Sequence, residues 1–481
     1  MTAARPVATV PAPVHLPPKQ FKVPHLSTDT SIDGHHTLID LVPLRERARE
    51  LVELARAAGA DAADVVVAAS RSAGVEVREG RVEDTEASEN DAFSLRVMIG
   101  QRAASVSANR GGDARQLAGR AVAMARVSPE NPYASLAPAE RLARHWPDLD
   151  LADPAAPSRS AMVERALACE AAALAVPGVA KSSGASFGRS VSGAVLATSA
   201  GFEGAYQSTR STASVSAIAG EGETMQRDYD FDTAHHLADL REVAAIGERA
   251  GSRAVARMNP RTVPSQPVPV LYEPRVARGL VNHMLAAMSG ASVARGTSLF
   301  RERRGDRVAA CGVTVLDEPH LPRGPASRPF DGEGMAMEML TLIEDGVLNH
   351  FLLDTASARE LDLEPNARGS RAGSGTTPTS TNAVLLPGAR SPDEMIADMG
   401  TGLLVTELIG QGVNLVTGDY SRGASGFWIE NGAVAYPVSE ITVAGNLLEM
   451  LMHMEPASDL DRRFGTDAPS VLVEGLTVAG R

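Results

Sequence analysis

The stretch DVVVAASRSAGVEVREGRVEDTEASENDAFSLRVMIGQRAASVSA, residues 64–108, decides the fold class. Four runs within it, Asp64–Ala69, Val75–Glu79, Ala92–Ile99 and Ala103–Ala108, carry a strand pattern. Glu79-Gly80 and Gly100-Gln101 stand between runs as turn signals, so the runs are expected to fold back as an antiparallel meander. Upstream, Leu44, Leu51, Leu54, Ala55 and Ala58 recur at helical spacing, and Gly59 supplies a stop. Downstream, a second helix is expected from about Asp113 to Val127. Helix, four strands, helix is an α+β arrangement with the helices on one sheet face.

A second unit follows an extended crossing loop, Ser128 to Ser158, which is interrupted by Pro129, Pro132, Pro138, Pro147, Pro154 and Pro157. Its expected elements are a helix at about Met162–Ala175, strands at Lys181–Arg189, Val191–Ser199 and Ala205–Ala219, and a helix over Leu237–Arg257 ended by Asn259-Pro260. The third strand alternates Ser or Thr with small residues, which suits a sheet with one solvated face. The last unit opens with an apolar strand, Val268–Tyr272, running into a helix from Pro274 to about Met288. Asp345-Gly346 and Asn431-Gly432 are strong hairpin signatures between strand-like flanks. A helix near Val443–His453 and a closing strand pair at Val471–Val478 complete the chain. The organisation expected is therefore a Pro-rich, weakly ordered tail over 1–40, an α+β module over 41–128, a second α+β module over 129–262, and a mostly β C-terminal domain over 263–481.

Composition narrows the function. The 481 residues hold 46 Lys plus Arg against 59 Asp plus Glu, a formal net charge of −13. That balance argues against nucleic acid and anionic membrane surfaces as partners, both of which need a basic face. No run reaches the ~18–20 apolar residues of a membrane span, and the first 30 residues lack a basic stretch followed by an apolar core, so a cytoplasmic location is expected. Cys169 and Cys311 are the two cysteines, too few for a disulfide framework or a Cys-rich metal cluster. His35-His36 falls in the Pro-rich tail and reads as solvated sequence rather than a metal lure.

Familiar catalytic motifs are missing. There is no G-x-x-x-x-G-K-[ST], and Gly332-Glu333-Gly334 and Gly400-Thr401-Gly402 lack the third glycine of a dinucleotide fingerprint. Gly423-Ala424-Ser425-Gly426 has Phe427 where a nucleophile elbow needs glycine. Gly369 to Thr381 reads as a mobile Gly/Ser/Thr loop, and His235-His236, His320, His350 and His453 read as surface residues. His283, on the helix after Val268–Tyr272, has Met284 beside it and Met288 five residues on; neither thioether is a good Zn²⁺ ligand or a proton acceptor. The richest polar segment is Gly418 to Trp428, which puts Asp419, Tyr420, Ser421, Arg422 and Ser425 among glycines just before a hairpin. These five are the candidates for contact with a peptide or partner, as against a tight turn held by its own hydrogen bonds.

These segments resemble the TldD/PmbA family of bacterial and archaeal peptidases, and most closely its PmbA (TldE) branch. The resemblance is carried by Gly400–Leu408, Gly410–Val413, Thr417–Gly432, Tyr436–Thr442 and Ala444–Leu447, and the order of elements fits from Leu41 onward. The family's catalytic branch has H-E-x-x-x-H on the helix at Pro274–Met288 and a Cys near the C-terminus. Against that pattern His283 matches the first His, Met284 stands for the Glu, Met288 stands for the second His, and no Cys follows Cys311. The resemblance thus implies a degenerate site with no catalytic residue and no metal on this chain. It implies a partner, a TldD-like subunit that supplies zinc and the water-activating Glu, and peptide substrates trimmed inside an enclosed cavity. Two alternatives stay open: an autonomous hydrolase acting through Asp419, Ser421 or Ser425, and a non-enzymatic peptide-binding homo-oligomer.

Overall fold

The structure, a computed structural model, describes residues 38–372 and 375–480; most of the Pro-rich tail, with His35-His36, lies outside the described residues. Its first half is built on six strands, β1 (Ala62–Arg78), β2 (Arg81–Ile99), β3 (Arg102–Asn109), β4 (Val179–Thr198), β5 (Glu203–Ala219) and β6 (Gln226–Ala234). They form one antiparallel sheet in the order β3-β2-β1-β4-β5-β6. Four helices cover it: α1 (Val42–Ala57), α2 (Ala114–Val127), α3 (Arg159–Leu174) and α4 (Val243–Ala256).

Strand β1 explains how one sheet serves two modules. Its odd-numbered residues point to one face along its whole length, because side chains alternate with period two. Ala63, Val65 and Val67 pack under α1 and α2 with Phe93, Leu95 and Val97. Further along, Ala73, Val75 and Val77 pack under α3 and α4 with Phe187 and Val215. The two helix pairs sit end to end on the same face of a shared sheet. The second pair is drawn tight at Gly247 of α4, where an added Cβ would lie 2.3 Å from the Cys169 carbonyl oxygen of α3.

The α+β class and the mostly β C-terminal region agree with the sequence reading, and the differences have a common cause. Asp64–Ala69 and Val75–Glu79 are one strand, as are Lys181–Arg189 and Val191–Ser199. The acidic segment 81–91 is also strand, although it is exposed and polar on both faces. Polar interruptions such as Ser70-Arg71-Ser72 do not break the ladder, since Ser70 pairs with Asn90 on one side and Ser192 on the other. Backbone hydrogen bonds continue wherever neighbouring strands do, whether or not side chains are apolar.

The second half contributes β7 (Gln266–Tyr272), α5 (Pro274–Ala287), β8 (Val315–Glu318), β9 (Leu340–Glu344), β10 (Val347–Leu348), β11 (Gly369–Ala372) and β12 (Gly375–Pro378). After these come β13 (Asn382–Leu385), β14 (Gly402–Ile409), β15 (Asp419–Glu430), β16 (Ala433–Asn446), β17 (Met454–Pro456), β18 (Thr466–Asp467) and β19 (Val471–Ala479). A small sheet runs β10-β9-β8-β13-β18. The larger one runs β16-β15-β14-β7-β19-β17, and an additional β16–β19 pairing closes it into a barrel. Both hairpin signatures hold: Asp345-Gly346 and Asn431-Gly432 turn with positive φ at both residues. The expected helix at Val443–His453 is shorter, Leu447–Met452, because β16 continues to Asn446 to complete the barrel. The expected closing pair is the single strand β19 with a bulge between Val473 and Leu476. Asp419–Ser425, expected as a glycine-flanked contact segment or a tight turn, is the first half of β15; Gly369–Thr381, read as a loop, contains the β11–β12 hairpin.

Candidate functional site

Helix α5 has two faces of opposite character. Ala277, Leu280, Val281, Met284, Leu285 and Met288 recur at helical spacing and are buried in the largest hydrophobic core. Arg275, Arg278, Gly279 and Asn282 form the other stripe and line a cavity of ≈ 240 Å³ with Thr406, Glu407 and Leu408 of β14, Asp228 of β6, and Arg422 of β15. His283 lies between the stripes, half-buried. Its ring stands edge-on to Tyr420, with centroids 6.3 Å apart and planes at 82°. Burial, and secondarily the Arg422 charge, hold its pKa below the ordinary histidine value.

Tyr272, the last residue of β7, and Tyr420 are both buried, at 0% and 2% exposure. Burial pushes the Tyr272 hydroxyl well above its ordinary pKa, with the neighbouring Tyr420 adding to the effect; burial raises Tyr420 as well. The two hydroxyls sense each other electrostatically, but neither meets hydrogen-bond geometry with any described group, and the same holds for Arg422 Nε and Thr406 Oγ1. Native interiors leave few such atoms unpaired, and each one costs about 1–3 kcal/mol. Arg422 and Thr406 both line the cavity, with the buried tyrosine pair within reach of the Arg422 charge, and this marks it as the candidate site. A larger cavity, ≈ 600 Å³, lies between the crossing loop and the small sheet beside Arg141, Phe351 and Leu363, but gathers none of these unpaired atoms.

The sequence candidates separate cleanly by strand parity. Tyr420 and Arg422 point inward, towards His283. Asp419 and Ser421 point outward and are exposed. The Asp419 carboxylate accepts from Thr417 Oγ1 at 2.5 Å, and Ser421 N donates to Gly412 O at 2.7 Å, so both stabilise the approach to β15. Ser425 is buried in the β14–β15 ladder opposite Glu407. Met284 and Met288 are both fully buried in the core. Sequence reasoning missed Tyr272, Asn282, Arg275 and Arg278. The α5 stripe at i, i+3, i+4 and i+7 was the available signal for three of them.

The residues around His283 do not fit a zinc ion. One imidazole is present, the thioethers at 284 and 288 face the core, and the nearby Arg422 charge would repel a dication. Among the described residues no three His, Cys, Asp or Glu side chains converge in a way that would hold a metal.

Beside the cavity, the seam between the two halves of the chain is held by paired charges. Arg275 reaches Asp228 through two bonds of 2.6 and 2.9 Å, and Arg257 approaches Asp228 at 3.2 Å while also pairing with Glu407. These pairs keep Asp228 ionised, and its pKa stays below the ordinary value in spite of burial. His235 and His236, expected at the surface, are buried at 6% and 9%. They bond backbone carbonyls, His235 those of Thr209 and Gly324, and His236 that of Asp150, which ties the crossing loop to the sheet.

Comparison with known proteins places the chain. Residues 63–125, 152–258 and 265–480 match, respectively, domain 1, the central domain and the C-terminal domain of the PmbA/TldA metallopeptidases. The "Metalloprotease PmbA" of Escherichia coli O157:H7 is 35% identical over 91% of this chain and 96% of its own length. The "Metalloprotease PmbA homolog" of Haemophilus influenzae is 34% identical over the same shares. A crystal structure from Bacteroides thetaiotaomicron, 27% identical, superposes with a TM-score of 0.84 over 91% of this chain and 99% of that one. TldE from Thermococcus kodakarensis, 22% identical, shares the fold with a TM-score of 0.80 over 90% of this chain and all of that one. The chain belongs to the PmbA/TldD metallopeptidase family. Among the described residues no helix is long and apolar enough to cross a membrane.

Proposed function

We propose that this member of the PmbA/TldD family is the non-metal subunit of a heteromeric zinc metallopeptidase that trims unfolded or modified peptides in an enclosed cavity. In this reading a TldD-like partner brings the zinc and the water-activating Glu, and this chain shapes the chamber and holds the peptide. The observation that carries it is the burial of Met284 and Met288 in the core of α5, which leaves His283 alone beside a guanidinium. A general base and a metal both need oxygen or nitrogen lone pairs facing the substrate, and neither thioether offers one.

The chain's own contribution is to bind and orient. Tyr420 and Arg422 stand on the inward side of β15 and are the residues proposed to meet the peptide, while Asp419, Ser421 and Ser425 hold the strand that carries them. A Ser/Thr patch on the sheet face away from the helices supports the same reading: Ser186 is bonded to Ser214 at 2.8 Å and Thr212 to Thr233 at 3.1 Å. Such a surface solvates a peptide without selecting its side chains, and strand addition reads backbone alone.

The test is zinc content by elemental analysis, on protein purified alone and without chelator. Less than about a tenth of an equivalent per chain is expected, with peptide cleavage arising only after a TldD-like chain is added and disappearing on chelation. One equivalent of zinc per chain, or chelator-sensitive turnover by this chain alone, would overturn the assignment.

A further inference from the structure

We infer that the cavity between α5 and the β14–β15 ladder is a carboxylate subsite, in which Arg422 receives the carboxylate of an extended peptide. The inference deepens the peptide-holding role proposed above and rests on it.

The argument begins with the charges on the cavity wall. Asp228 is held by Arg275 and Arg257, and Glu407 is paired with Arg257, so both acidic groups are already compensated. Arg278 donates from Nε to Arg275 O at 3.1 Å and lies 4.5 Å over the Phe464 ring. Arg422 is different: it forms no ion pair among the described residues, and its Nε is buried without a partner. Its charge nevertheless reaches His283 and the buried Tyr272–Tyr420 pair behind the cavity wall. A planar guanidinium with free donors, sharing the cavity wall with the Thr406 hydroxyl and the exposed Asn282 amide, is built for a planar monoanion. A carboxylate in the cavity would satisfy Arg422, with the Asn282 amide and the Thr406 hydroxyl on the same wall. A phosphate dianion suits the site less, because Asp228 and Glu407 line the same wall.

The carboxylate has two sources within a peptide, its C-terminus or an acidic side chain, and the experiment separates them. Binding of a fluorescent, unstructured peptide of about ten residues is measured by anisotropy on the full chain without partner. Three forms are compared: free acid, C-terminal amide, and C-terminal amide with Glu as last residue. Tighter binding of the free acid by about tenfold or more, weakened by salt, assigns the terminus; recovery by the Glu-bearing amide assigns the side chain. Either preference should vanish in Arg422→Gln, whatever that change does to binding of the plain amide. Equal affinity for all three forms, no binding of any, or a preference that survives in Arg422→Gln overturns the inference. The three-peptide comparison on the unaltered chain needs no variant to fold. The zinc measurement is independent of peptide binding, so failure here is distinguishable from failure of the subunit assignment.

Discussion

Two arginines of the C-terminal half, the fully buried Arg368 and the half-buried Arg422, could hardly be used more differently. Arg368 engages all three of its nitrogens inside the fold. Its Nε binds Asp317, its Nη1 donates to Asn366 O at 3.0 Å and Ala367 O at 3.2 Å, and its Nη2 donates to Glu338 O at 2.7 Å. Asp317 is completed by Thr381 N at 2.6 Å and Thr381 Oγ1 at 2.9 Å. Around Arg422 the donors and hydroxyls are left unmet. A saturated buried network specifies architecture, whereas an unsaturated one costs stability and persists where a ligand completes it.

That contrast is broken most directly by removing each arginine. Arg368→Met leaves Asp317 as a fully buried charge without its cation and should cost about 3–5 kcal/mol, enough to lose most of the folded protein. Arg422→Met strands no carboxylate and should change stability by less than about 1 kcal/mol. Urea denaturation of both variants decides the matter. Comparable losses would mean that Arg422 is a structural residue like Arg368.

The difference was only partly legible in the sequence. Helix α5, both hairpins and the inward–outward alternation of the strands follow from periodicity and from Asp-Gly and Asn-Gly turns, which are local signals. The shared six-stranded sheet was hidden because β1 and β4 cross polar stretches, Ser70-Arg71-Ser72 and Arg189-Ser190, where apolar alternation lapses while the ladder continues. The site was harder still. Asp419 to Ser425 drew attention as a group, but of the five polar candidates β15 turns only Tyr420 and Arg422 towards α5, and their neighbours Tyr272 and His283 come from segments far away in the chain. Convergence of that kind is a property of the closed barrel and has no local signature. Arg368 was equally silent: nothing in Ala367-Arg368-Gly369 marks it as a buried anchor.

A second way to sharpen the contrast uses pH. Close to Arg368, Asp331 accepts from Glu333 N at 2.9 Å, Met335 N at 2.8 Å and Gly369 N at 3.1 Å, while Glu333 accepts from Thr355 N at 2.8 Å and Thr355 Oγ1 at 3.0 Å. Burial raises Asp331 to about 6; burial and then the charge of Asp331 raise Glu333 to about 8. A carboxyl whose folded pKa lies above its unfolded value binds more protons folded than unfolded. Its stabilisation is therefore complete below the ordinary glutamate pKa and is lost as pH rises through the folded value. Stability should fall between pH about 4.5 and about 8, by at most about 1.4 kcal/mol per pH unit for Glu333. Glu333→Gln should flatten that slope. Denaturation curves at pH 5, 6, 7 and 8 test it, and a slope unchanged in the variant would move the titration to another group. Peptide binding at Arg422 should follow neither slope, since that guanidinium keeps its charge throughout.

The smallest effect falls on the residues that share β15 with Arg422 but face outward. Asp419→Ala removes one hydrogen bond, from Thr417 Oγ1, at an exposed position where water replaces it, so the loss should be about 0.5–1 kcal/mol. Ser421→Ala leaves intact the backbone bond from Ser421 N to Gly412 O and should be neutral within about 0.5 kcal/mol. Neither change should alter the preference for a peptide carboxylate, although both residues lie within three positions of Arg422 in sequence. What separates them from Arg422 is the pleat, which sends successive side chains to opposite faces. Anisotropy titrations of both variants with the free-acid and amide peptides measure this directly. If Asp419→Ala abolishes the preference as completely as Arg422→Gln, the outer face of β15 takes part in binding, and the inward–outward division of this strand does not sort function from scaffold.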